Sequence, residues 1–152
     1  MPLLNYTTQI DAFKTISEIQ KLLAKAGASA VMNEMDDTGS ITALSFRIKF
    51  ERDSSQEIAF RLPTDWRPVL EVMQQDRRVP RNLKTREQAL RVAWRITKDW
   101  IEAQVAFIET NMVTTAQVFL PYAVTRNGQS LFETIASDPK LLLGEGGNNA
   151  QA

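Results

Sequence analysis

The strongest constraint on how this 152-residue chain folds is one long helical pattern between Thr85 and Met112. Thr85 and Gln88 match a capping box, in which a hydroxyl and a side-chain amide satisfy backbone donors at a helix start. The pattern covers about 28 residues, and a rise of 1.5 Å per residue predicts a helix of roughly 42 Å. Placed at 100° intervals, Gln88, Arg91, Arg95, Lys98, Glu102 and Glu109 share one line, read as the solvent face. Two apolar ridges oppose it. One holds Ala89, Ile96, Trp100, Ala103 and Phe107, and the other Leu90, Trp94, Ile101, Val105, Ile108 and Met112.

Thr97, Gln104 and Asn111 run between the ridges, and polar groups inside an apolar arc need hydrogen-bond partners when buried. One reading is a single wide core face. The other gives each ridge its own body, one meeting a sheet and the other a C-terminal helix or a second subunit. On the second reading Trp94, Ile101, Val105 and Met112 are interface candidates and the chain is a homo-oligomer candidate.

The preceding segments supply the sheet. Thr42, Leu44, Phe46, Ile48 and Phe50 alternate with Ala43, Ser45, Arg47 and Lys49, which is the period of a half-buried strand. Ala28 to Met35 precedes it across the turn Asp36-Asp37-Thr38-Gly39. Ile58, Phe60 and Leu62 repeat the alternation after Ser54-Ser55. Before the strands, Thr15 and Glu18 suggest a second capping box, followed by Ile16, Ile19, Leu23 and Ala26 on one face and Gly27 as a stop. Thr64 or Asp65 caps a short helix to about Gln75, and Arg77 to Lys84 is a loop containing Pro80. Thr114 to Tyr122 and the segment capped by Ser130 and Glu133 read as further short helices, with a turn at Asn127-Gly128.

The expected fold is therefore α+β: a three-stranded antiparallel meander packed on an N-terminal helix and one long helix, with a helical C-terminal extension. Residues 1–143 form one domain, of which 1–14 is an extended arm, and 144–152 a disordered tail.

Composition removes many chemistries. The chain has no Cys and no His, which excludes disulfides, thiolate nucleophiles, imidazole catalysis and zinc sites built on those ligands. The acids Glu34, Asp36 and Asp37 fit a polar hairpin turn better than a cation site. Arg47-Ile48-Lys49 puts the wrong charge where a metal-dependent nuclease needs an acid. No metal, cofactor or catalytic residue is expected. With neither an apolar run of membrane length nor a signal peptide, the expected location is the cytoplasm, without membrane contact.

Charge gives the positive indication. From Asp76 to Lys98, 8 bases face 2 acids, a net +6 in a chain that is neutral overall. Arg77, Arg78, Arg81 and Lys84 lie on the loop, and Arg91, Arg95 and Lys98 within one arc of the long helix. All seven are candidates for contact with nucleic acid or a nucleotide-like anion. Tyr6, Trp66 and Tyr122 are candidates for stacking on bases.

Several segments also carry a resemblance. These are Asn5-Tyr6-Thr7-Thr8, Thr15 with Glu18-Ile19-Gln20, Ala43-Leu44-Ser45-Phe46 and Leu62-Pro63, followed by Arg91-Val92-Ala93-Trp94-Arg95-Ile96, Lys98-Asp99-Trp100-Ile101-Glu102-Ala103-Gln104 and Val118-Phe119-Leu120-Pro121-Tyr122. Together they resemble a family of small proteins of bacteriophages and integrative mobile elements. The resemblance implies an accessory protein acting in a bacterial host cell, and supplies no site residue. The expected function is a non-enzymatic accessory protein that binds nucleic acid or a nucleotide-like anion through the basic loop and helix face. The alternatives are an inhibitor of a host defence system, anti-CRISPR-like or signal-sequestering, that contacts a host protein complex or binds a nucleotide, and a structural or assembly subunit.

Overall fold

The computed structural model describes residues 2–51 and 53–144. In chain order its elements are α1 (Ala12–Lys25), β1 (Ala30–Met35), β2 (Ile41–Lys49), β3 (Glu57–Pro63), α2 (Trp66–Gln75), α3 (Arg86–Glu109), α4 (Thr115–Phe119), α5 (Leu131–Ser137) and α6 (Lys140–Leu143). Single 3-10 turns occupy Arg81–Leu83 and Leu120–Tyr122. The fold is α+β, with one antiparallel meander in the order β1-β2-β3.

β2 is the central strand, and Leu44, Phe46 and Ile48 point from it into the core as their alternation predicts. A bulge modifies the pattern at its start. Glu34 pairs with Ala43 but Met35 with Ile41, so Thr42 is the extra residue. The phase shift turns Ile41 to the core side, where strict alternation placed Thr42. At the other end Phe50 falls beyond the strand and is exposed.

α3 is the axis of the molecule. It is 24 residues long, roughly 36 Å, rather than running to Met112. Asn111 takes a left-handed conformation at φ 60°. The Met112 amide then donates to the Phe107 carbonyl at 3.2 Å and the Asn111 amide to that of Ile108 at 3.1 Å, a Schellman stop with Asn in the glycine position.

The apolar arc of α3 does divide between two bodies, but not along the expected ridges. Trp100, on the ridge of Ala89 and Ile96, packs on the main core, and the second body is α2 rather than a C-terminal helix or a second subunit. Trp94, Ile101 and Val105 join Ile16, Ile19 and Leu23 of α1 and the inner face of the sheet in the main core. Ala89 and Val92, with Ile96 at the edge, form a second, smaller core with Met73 of α2 and Val79, closed by Leu3, Tyr6, Trp66 and Leu83. Trp94, Ile101 and Val105 are therefore interior residues of one chain rather than an intersubunit face, while Met112 is exposed. Trp94 is fully buried and its indole Nε1–H donates to the Ile41 carbonyl at 3.2 Å, next to the bulge. The polar line between the ridges is partnered at Thr97, whose hydroxyl donates to the Ala93 carbonyl at 2.9 Å and lies 3.3 Å from that of buried Thr64.

The C-terminal extension is fastened by aromatic contacts. Phe119 meets Phe46 edge-on at 5.2 Å, Trp100 meets Phe119 at 5.8 Å, and Tyr122 meets Trp100 at 5.8 Å. Backbone contact follows, with the Val124 amide donating to the Ala59 carbonyl at 2.8 Å on the outer edge of β3. α5 rests on the 3-10 turn at Leu120–Tyr122. Beyond Gly144 the expected tail lies outside the described residues.

The start of α1 departs from the capping-box reading. Asp11, not Thr15, is the N-cap, accepting from the Phe13 amide at 2.9 Å. The helix starts at Ala12, inside the segment read as an arm, and the remaining arm is folded by turns at Leu4–Thr7. Thr15 and Glu18 instead lie within the helix, one turn apart, where both meet Arg95.

Trp94 fills the centre of the main core and supplies the donor for the bulged strand. Trp94→Ala should cost about 3–5 kcal/mol, read as a lowered midpoint in urea unfolding. A loss below 1 kcal/mol would contradict this packing.

Candidate anion-binding loop

The seven basic candidates divide sharply. On α3 the arginine stripe is an internal seam. No residue from Gln88 to Ile101 is exposed, because the sheet, α2, α1 and the arm enclose this part of the helix. The Arg95 side chain is only 14% exposed, and its guanidinium donates to Glu18 at 2.6 Å and to buried Thr15 at 3.4 Å. Lys98 is 18% exposed and paired with Glu102 one turn on. Arg91 donates to the Gln88 side-chain oxygen at 3.1 Å. The first part of the line read as a solvent face, Gln88 to Lys98, is thus where α1 and the arm dock, while Glu102 and Glu109 are exposed as expected.

Gln88 shows why. Its Nε2 donates to the carbonyls of Tyr6 at 2.9 Å and Thr8 at 2.8 Å, holding the arm against α3. The Thr85 hydroxyl still caps the Gln88 amide at 3.2 Å, so half of the expected capping box forms. Farther along, Asn5 donates to Asp99 at 2.7 Å. An arm made of backbone carbonyls and an amide side chain needs polar partners, and this stripe provides them.

The loop candidates stand differently. Arg77 and Arg81 are exposed, and neither pairs with a carboxylate among the described residues. Arg78 is committed to Asp76, with Nε donating at 2.9 Å and a terminal nitrogen at 3.0 Å. Lys84 donates to the Gln74 carbonyl at 3.2 Å, placing its charge at the negative end of the α2 dipole.

The loop is built rather than slack. Asp76 also accepts from the Arg78 amide at 2.9 Å, a local turn closed by an aspartate. Val79 is buried in the second core, pinning the middle of the loop. Pro80 and the 3-10 turn at Arg81–Leu83 set the exit. The sequence does carry a signal for this anchor: one β-branched apolar residue within a run of arginines. Asp76, read as a mere opposing charge, is the loop's organiser.

Trp66 borders this region. The guanidinium of Arg86 lies 5.3 Å from its ring centroid and that of Arg67 5.7 Å. Arg86 also reaches the β1–β2 turn, donating to Thr38 and to Ser40 and lying 3.6 Å from Asp36. Asp36 in turn accepts from the Thr38 amide at 2.9 Å and the Ser40 amide at 3.1 Å. Its carboxyl is held below the usual aspartate value, first by the Thr38 hydroxyl. Glu34 pairs with Arg61 at 2.7 Å. These acids thus organise a hairpin, and among the described residues no group of three carboxylates is placed to hold a metal.

Two further surfaces are concave or apolar. A groove of about 230 Å³ is lined by Asp11, Phe13, Ile16, Ile41, Glu87 and Arg91, among others. It is smaller than the usual small-molecule site. Phe107 and Met112 are exposed at the end of α3, as are Leu120 in the 3-10 turn after α4 and Phe132 and Leu141 to Leu143 in the last helices. No described helix is long and apolar enough to cross a membrane. Compared with protein-family models, with curated proteins and with solved structures, the chain matches none.

The Asp76 carboxyl is held below the ordinary aspartate value, first by the Arg78 side chain and then by the Arg78 amide. A depressed carboxylate contributes order above its unfolded value of about 3.9, and that contribution is lost as pH falls through the folded value. The Arg78 amide resonance should therefore titrate with a midpoint below that of an unstructured aspartate peptide. A midpoint at the peptide value would mean that the loop turn does not form.

Proposed function

We propose that this is a non-enzymatic accessory protein of phage or mobile-element origin that contacts a phosphate-bearing ligand, nucleic acid or nucleotide, through the loop Arg77–Lys84. The origin rests on the sequence resemblance. The observation that carries the binding reading is the pair Arg77 and Arg81, two exposed guanidiniums without carboxylate partners among the described residues. Val79 and Asp76 hold the loop that displays them. A guanidinium is matched to phosphate in shape and charge, and a pre-formed loop loses less entropy on binding than a slack one. Arg95 and Lys98 belong to the fold on this reading, and Arg78 and Lys84 to the support of the loop.

The distinction is measurable. Each phosphate contact adds about 0.9 to the slope of log affinity against log salt. Arg77→Ala with Arg81→Ala should flatten that slope by up to about 2 and leave thermal stability nearly unchanged. Arg95→Ala should lower thermal stability and leave the slope alone. Equal flattening by Arg95→Ala, or no retention on DNA or RNA at low salt, would overturn the assignment.

A second reading, inhibition of a host defence complex or assembly by protein contact, is favoured by the exposed apolar group at the other end of α3. Met112 is 67% exposed and Phe107 46%. On that reading Met112→Asp abolishes co-purification of a defined host complex or breaks a homo-oligomer in sedimentation. A strictly monomeric protein that captures no partner counts against it.

A further inference from the structure

Resting on the phosphate-contact reading above, we infer that the loop takes the sugar–phosphate backbone of a nucleic-acid duplex and does not stack on bases. The inference comes from where the aromatic rings are. Proteins that hold single strands gain about 1–3 kcal/mol per base from stacking on aromatic side chains, so such a site needs an open ring beside its cations.

The two rings of the second core, which the loop enters at Val79, are half-buried. Trp66 is half-buried in the second core and has the Arg67 and Arg86 guanidiniums against it. Tyr6 packs over the same core, and its backbone is tied to Gln88. Tyr122 and Trp100 are turned edge to face against each other, with Trp100 14 residues along α3 from Arg86, roughly 21 Å away.

Four rings are exposed among the described residues, and none belongs to the loop or to the second core. Phe107 lies 21 residues along α3 from Arg86, roughly 32 Å away. Phe50 follows the end of β2 opposite the turn that Arg86 touches, about 30 Å along the strand from Ile41. Phe132 belongs to α5, which packs against the 3-10 turn at Leu120–Tyr122. Phe13 shares its groove with the carboxylates Asp11 and Glu87 against the single cation Arg91, a lining that is net acidic.

Without stacking, charge density decides among nucleic acids. A duplex carries about one phosphate per 1.7 Å of axis, against one per 3.4 Å for each of its strands. Two arginines carried on a pre-formed loop therefore favour the duplex and are indifferent to its sequence.

Fluorescence anisotropy at low salt tests this with labelled duplex DNA, duplex RNA and oligo-dT of the same length, with ATP as competitor. The expected result is binding of a duplex several-fold tighter than oligo-dT, unchanged by scrambling the sequence and not displaced by ATP. Equal or tighter binding of oligo-dT, dependence on base sequence, or displacement by micromolar ATP overturns the duplex assignment while leaving phosphate contact standing. Silence with every probe overturns the phosphate-contact reading itself, and the duplex assignment with it. Arg77→Ala with Arg81→Ala identifies the surface: binding that survives it unchanged in affinity and salt slope places the contact elsewhere and refutes the proposal.

Discussion

Enclosure of α3 is the constraint on which the rest of this structure depends. A helix usually keeps one face in water, which allows its charged residues to remain hydrated. Here the middle of α3 has a neighbour on every side, with the sheet and α2 on its apolar arc and α1 with the arm along the stripe of Gln88, Arg91 and Arg95. Burying that line would be costly if its groups were unpartnered. Arg95 on Glu18, Gln88 on two carbonyls and Asn5 on Asp99 meet the requirement. No buried side-chain nitrogen or oxygen among the described residues lacks a partner.

That requirement redistributes the positive charge. The sequence places +6 between Asp76 and Lys98, yet the fold consumes most of it internally. Arg78, Arg86, Arg95 and Lys98 each pair with an acid, and Lys84 lies on a carbonyl. Arg95 and Lys98, 14% and 18% exposed, are held by partners because water solvates them poorly, whereas Arg78 is exposed and is held by its own turn. The surplus left for a ligand is concentrated at Arg77 and Arg81, so charge density along a sequence is an upper bound on charge displayed at a surface.

Much of the fold was legible because its signals are local. The alternation in β2 and β3, Gly27 after α1, Asp65 before α2 and Ser130 before α5 each act through neighbours a few residues away. The helical wheel also separated Trp94, Ile101 and Val105 from Ala89 and Ile96, although it grouped Trp100 with the latter pair. What remained hidden depends on distant partners. Thr15 and Glu18 have the spacing of a capping box, and nothing local distinguishes that from two groups awaiting Arg95, some 80 residues later. Polar residues on a helix look solvent-facing unless the docking of a polar arm is known. The loop was legible as basic, and its rigidity was not, because Val79 reveals its anchoring only when the second core is assembled.

The arm has a consequence for the order of assembly. Its hydrogen bonds to Gln88 join residues 82 and 80 positions apart. At roughly 5–20 residues per second on the ribosome, α3 is made about 4–16 seconds after the arm. During that interval Leu3 and Tyr6 have no surface to close over. The second core, and with it the foundation of the arginine loop, is therefore completed late, by a segment that has waited for its partner.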